Sequence, residues 1–97
     1  MTAFRDELGT PGSYLTLEEG TPVLSSDGEA VGRVEEIRAD TGTDVFDGLV
    51  IAAGALGGDR RFVEAAKVDE IYERGVVLRL DAAGAGDLPR PEDAGAS

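Results

Sequence analysis

Ser25-Ser26-Asp27-Gly28-Glu29-Ala30-Val31-Gly32-Arg33-Val34-Glu35-Glu36-Ile37 is the run whose reading decides the fold. Asp27-Gly28 is a strong hairpin signal. Gly enters positive φ at no steric cost, and Asp bonds its own backbone in turns. Val23 and Leu24 stand before the turn; Val31, Val34 and Ile37 follow it. The last three are spaced by three, a helix-like period. Gly32 in the middle and a length of only about ten residues argue against a helix. The reading is a bent strand entered through the Asp27-Gly28 hairpin, with Gly32 at a bulge or beneath a neighbouring side chain.

Upstream, residues 21–24 read as a first strand. Thr16-Leu17-Glu18-Glu19 has the capping-box pattern, and Gly20 sits where a helical stop is expected. A short helical turn is predicted there, with Tyr14, Leu15 and Leu17 packing. Residues 1–14 are expected to be a flexible lead-in. Thr2 is a candidate cap for one turn, and Gly9-Thr10-Pro11-Gly12 breaks it. Downstream, Asp40-Thr41-Gly42-Thr43-Asp44 makes a second turn. Phe46 to Ala53 is a nearly continuous apolar run, as in a strand buried on both faces. Within it Gly48 is assigned, with Asp27, Gly28 and Gly32, as a structural turn position. A Gly-rich loop opens at Gly54, and Arg61 to Ala65 reads as a short strand. Residues 68–73 read as a turn of helix plus a short strand. Val76 to Leu80 alternates, with Val76, Leu78 and Leu80 on one face. From Asp81 onward Ala, Gly, Pro and acidic residues dominate, and residues 81–97 are expected to form a disordered tail. The prediction is therefore an all-β domain at residues 15–80. It is a small barrel of five or six short strands, with a short helical turn before the first.

Composition narrows the chemistry. The 97 residues contain no His and no Cys, so imidazole bases, thiolate nucleophiles and the commonest metal ligands are missing. Net charge is −11, and the two ends are relatively more acidic than the centre. That balance repels nucleic acid and anionic membranes. The first nine residues hold no apolar core of signal-peptide length, and the longest unbroken apolar run, residues 49–53, is too short to span a bilayer. A cytoplasmic location is expected, without membrane insertion, nucleic-acid binding or cofactor.

Four constellations invite a chemical reading. Asp40, Gly42, Asp44 and Asp47 resemble the start of a calcium loop. The third, sixth and twelfth positions of that loop are filled by Gly42, Val45 and Ile51, which do not suit the ion. A solvated Asp-capped turn is the better reading. Gly54, Gly57, Gly58, Asp59, Arg60 and Arg61 suggest a phosphate loop, yet neither Gly-Lys-Ser/Thr nor a strong helix follows. Arg60 and Arg61 remain candidates for anion binding. The adjacent acids Glu18-Glu19, Glu35-Glu36 and Asp69-Glu70 point to opposite faces of a strand and do not converge on one bond. Ser13, Ser25 and Ser26 have no basic partner that would make a nucleophile. Phe46 and Phe62 read as core. Tyr72, between Ile71 and Glu73-Arg74, is the better contact residue because its hydroxyl needs water or a partner.

From about Leu15 to Leu80 the chain resembles the PRC-barrel family. The resemblance rests on Thr21-Pro-Val-Leu, Ser26-Asp-Gly-Glu-Ala-Val-Gly-Arg-Val, Asp47-Gly-Leu-Val-Ile, Arg61-Phe-Val-Glu-Ala, Val68-Asp-Glu-Ile and Gly75-Val-Val-Leu-Arg-Leu, in that order. The family is a small β-barrel. It forms the cytoplasmic part of the photosynthetic reaction-centre H subunit and the C-terminal domain of a ribosome maturation factor, and it also occurs alone. Neither the membrane helix of the former nor the N-terminal domain of the latter is found in these residues. The resemblance implies a module for protein contacts with no catalytic motif to carry over. The expected function is non-enzymatic protein–protein interaction or assembly, with another protein or as a homodimer. Arg60, Arg61 and Tyr72 are the candidate contact residues. The alternative is a small-ligand or anion-binding regulator using the 54–61 loop.

Overall fold

In a computed structural model, residues 7–40, 42–43, 45–53 and 58–94 are described. Six strands form one sheet: β1 (Pro22–Leu24), β2 (Ala30–Asp40), β3 (Val45–Ala53), β4 (Asp59–Glu64), β5 (Val68–Tyr72) and β6 (Gly75–Leu78). Their order is β4-β3-β2-β1-β6-β5. All neighbours are antiparallel except β1 and β6, which run parallel. The outermost strands, β4 and β5, are consecutive in the chain. Only the 3-10 turn Ala65–Lys67 separates them, so the chain itself draws the two ends of the sheet together. The sheet curls round one core. Val23, Val34, Leu49, Ile51, Val63, Ile71, Val76 and Leu78 meet there, with members from every strand.

Bulges resolve the odd spacing in β2. Val34 lies opposite Ile51 and Glu36 opposite Val50, which leaves Glu35 as the extra residue. The bulge turns the three-residue interval between Val34 and Ile37 into a same-face pair, and both pack in or on the core. A second irregularity, in the β1–β2 ladder, sets Val31 beside Gly32. Gly32 is there for close approach: a Cβ on it would stand 2.4 Å from the carbonyl oxygen of Ala52 in β3.

The Asp27-Gly28 turn forms as expected, with Gly28 at φ 87°. Its organiser is Ser25, which is fully buried. Ser25 Oγ donates to the Asp27 carboxylate and accepts the Glu29 N–H at 3.0 Å, while Ser25 N–H donates to Glu29 O at 2.8 Å. In the second turn Asp40 Oδ1 accepts from Gly42 N–H at 3.0 Å; Thr41 and Asp44 lie outside the described residues. So do Thr2 and residues 54–57 of the Gly-rich loop.

β3 is buried on both faces from Leu49 to Ile51, as its apolar run predicts. Gly48 is not a turn residue. It lies inside β3 beside the bulged Asp47, opposite Arg38 on one side and Glu64 on the other. A Cβ there would stand 2.3 Å from Val63 O and 2.7 Å from Phe62 Cζ. The Phe62 ring covers the bare backbone of Gly48, and the Arg38 guanidinium lies 5.7 Å from the ring centroid.

The expected helical turn before β1 is present as a 3-10 turn at Tyr14–Thr16; its cap is Ser13 rather than Thr16, and the two form the reciprocal capping pair. Two further expectations are corrected. The lead-in is packed from residue 7 onward: Leu8 is buried, and Gly12 N–H donates to Ile71 O at 2.7 Å. The tail is also packed. After Leu80 come α1 (Ala82–Gly86) and α2 (Pro91–Ala94), and Ala85, Leu88 and Pro91 are buried. A few apolar residues suffice because each terminal segment also satisfies edge groups of the sheet that would otherwise face water.

Candidate interaction faces

The sequence-derived candidates lie at the two ends of the strand order. Arg60 and Arg61 are on β4. Glu35, aimed by the β2 bulge, reaches across β3 to pair with Arg60 Nε. Asp59 and Arg61 are two apart on one strand and share a face. Arg61 grips that carboxylate with Nε at 3.0 Å and a terminal nitrogen at 3.1 Å. Its other terminal nitrogen donates to Leu88 O at 2.7 Å. The guanidiniums expected to hold an anion are thus engaged with the protein's own acceptors. A shallow depression of about 220 Å³ beside them adds Arg90, but Asp59 and Glu92 line it too.

Tyr72 ends β5 on the other edge. It is half-buried, opposite Gly75, and bridged to Pro11 of the lead-in. Next to it Glu73 accepts the Thr10 N–H at 2.9 Å. That hydrogen bond lowers the carboxyl pKa below the ordinary glutamate value, with a smaller contribution from nearby Arg74.

The most open apolar feature lies elsewhere. Tyr14 of the 3-10 turn and Phe46 of β3 stack with ring centroids 5.0 Å apart and planes 6° from parallel. Among the described residues the most exposed large hydrophobics are Leu15 at 66% and Val45 at 48%; Leu15 follows Tyr14 in the 3-10 turn, whereas Val45, next to Phe46 on β3, points to the opposite side of the strand. Phe46 also lines a cleft of about 200 Å³ with Gly12, Ala65, Val68, Asp69 and Ile71. That cleft lies at the seam where the chain passes from β4 to β5. Phe46 and Tyr14 both pack on the core, as expected of them from the sequence. Nothing in the spacing of residues 14 and 46 announces that they stack.

The PRC-barrel domain family model matches residues 13–83. The chain belongs to the PRC-barrel family. The match begins at Ser13, the cap of the 3-10 turn, so the Tyr14 side of the stack falls within the PRC barrel proper. It ends inside α1, so the rest of the tail is an addition to the matched barrel. A search of curated proteins found no match. Among the described residues of this PRC barrel, no helix is long and apolar enough to cross a membrane.

Proposed function

We propose that this PRC barrel is a non-enzymatic protein-interaction module of the cytoplasm. In this reading its Tyr14–Phe46 face docks another protein or a second copy of the chain. The observation that supports the reading is the half-buried Tyr14–Phe46 stack beside a cleft, with exposed Leu15 next to Tyr14 in the chain. Rigid rings beside an open aliphatic side chain and a cleft are the kind of anchor that dominates protein interfaces. The strong negative charge favours a protein partner over nucleic acid.

The test compares the protein with its Leu15→Glu variant. That side chain is exposed, so the circular dichroism spectrum and denaturant midpoint should be preserved. Proteins retained from the native cell are identified by mass spectrometry, and solution mass is measured beside them. The reading expects a retained partner, or a dimer mass, that is lost in the variant. Equal retention and equal mass in both proteins would refute it.

A further inference from the structure

The cleft beside the Tyr14–Phe46 stack is lined by a residue whose carboxylate has nothing to pair with. Five charged side chains among the described residues are half-buried: Arg38, Arg61, Lys67, Asp69 and Glu70. The first four are held in ion pairs, by Glu36 at 3.3 Å, Asp59 at 3.0 Å, Glu64 at 3.6 Å and Arg79 at 3.7 Å respectively. Among the described residues Glu70 alone of the five has neither an ion pair nor a side-chain hydrogen bond. Its position follows from a bulge in β5 between Val68 and Glu70. The bulge keeps Val68 and Ile71 both packed in or on the core and leaves the two acids between them on the outer side. The cations of this part of the chain are engaged elsewhere: Lys67 and Arg79 in the pairs just given, and Arg74 with Glu7 O at 3.1 Å. A carboxylate drawn partly out of water and left unpaired is unfavourable. The other walls of the cleft are mostly apolar, from Phe46, Ala65, Val68 and Ile71. The stacked Tyr14 ring braces Phe46 there.

We infer that the occupant of this face is a basic protein, which seats an arginine side chain in the cleft with its stem against Phe46 and Val68 and its guanidinium on the Glu70 carboxylate. The inference rests on the Tyr14–Phe46 face being a docking surface and narrows what docks there. Apolar walls beside one free carboxylate match a side chain with an apolar stem and a cationic end. Arginine fits better than lysine, because its planar fork meets a carboxylate with two donors and also packs against aromatic rings. Charge selects the partner as well. A second copy brings another −11 to the face and is repelled, whereas a basic surface is attracted.

The test titrates the full-length protein with N-acetyl-arginine amide and with its neutral isostere, N-acetyl-citrulline amide, and follows the amide chemical shifts. The arginine probe should move the Glu70 and Ile71 amides saturably, and the citrulline probe should not. Glu70→Gln keeps the shape and removes the charge. With no partner to lose, the variant should keep the parent's denaturant midpoint, and its affinity for the arginine probe should fall about tenfold. Equal responses to the two probes would overturn the inference. So would an undiminished arginine response in Glu70→Gln, or no movement in the cleft with either probe. Retention of proteins from the native cell separates this failure from failure of docking itself. A basic partner lost in Leu15→Glu and retained about tenfold less by Glu70→Gln is the expected result. A partner lost in Leu15→Glu but retained in full by Glu70→Gln keeps the docking face and overturns the arginine seat. A homodimer lost in Leu15→Glu also keeps the docking face and overturns the basic partner.

Discussion

The two edges of the sheet are both covered by the chain's own ends, but by opposite means. The β5 edge is covered by backbone. Ile71 O, Thr10 O and Leu8 O accept from Gly12, Glu73 and Arg74 at 2.7, 3.0 and 2.8 Å, and Glu73 adds a side-chain acceptor. Leu8 is the buried apolar anchor. The β4 edge is covered by side chains: Ala85, Leu88 and Pro91 are buried, and a single backbone hydrogen bond reaches Phe62. One cover extends the sheet and the other plugs it. A polar cover is sensitive to protonation, whereas an apolar plug is sensitive to the volume of one or two residues.

The sheet between the edges holds the fully buried Leu49, Val50 and Ile51, so the largest effect belongs there. Gly48→Val drives a side chain into Val63 O and the Phe62 ring. It should cost about 3 kcal/mol and lower protection at both edges together. A denaturant midpoint within error of the parent would show that the β3–β4 contact yields freely. Leu88→Ala should cost about 2 kcal/mol, near the low end for a buried leucine because the short C-terminal segment that carries it can settle toward the barrel. Exchange at the Phe62 amide should rise while the Glu73 and Arg74 amides stay as they were. Equal loosening at both edges would break the distinction.

The two edges also differ in their response to pH. Glu73 has a lowered pKa when folded, so its contribution is complete above the ordinary glutamate pKa and is lost as pH falls through the lowered one. Acid should therefore speed exchange at Glu73 and Arg74 and proteolysis across residues 7–12. Glu73→Gln should remove that acid dependence. An unchanged acid profile in the variant would place the cause elsewhere. The smallest effect is expected for Arg60→Ala. Arg60 and Glu35 form a pair with side chains 48% and 41% exposed, and their loss should shift stability by about 0.5 kcal/mol or less, read from the same denaturant midpoints.

What the sequence made legible was whatever depends on near neighbours. The Asp27-Gly28 turn, the bend in β2 and the two-faced burial of β3 follow from turn chemistry and from runs of apolar residues. The packing of the termini is hidden in the sequence because composition averages over a segment. Leu88 and Pro91 are diluted among Ala, Gly and acids, yet two or three anchors are enough once an unpaired strand edge supplies the rest. Gly48 is ambiguous because a glycine under a cross-strand ring looks, in sequence, like a glycine in a turn. The candidate site divided along the same line. The grip of Arg61 on Asp59 is a two-residue relation on one strand, while its bond to Leu88 O and the stacking of Tyr14 on Phe46 join residues far apart in the chain.

The parallel pairing of β1 with β6 sets the order of assembly. Val23 lies beside Val76, so the ladder joins residues about fifty positions apart. The antiparallel run β2-β3-β4 needs only short loops and forms from local closures. β1, three residues long, has one side of its ladder empty until β6 arrives. Closing so long a loop carries the larger entropy cost and yields contact only at the end. The slow event in folding is thus the arrival of the last strand. During synthesis the first three-quarters of this protein wait, half-laddered, for residues 75–78 to emerge.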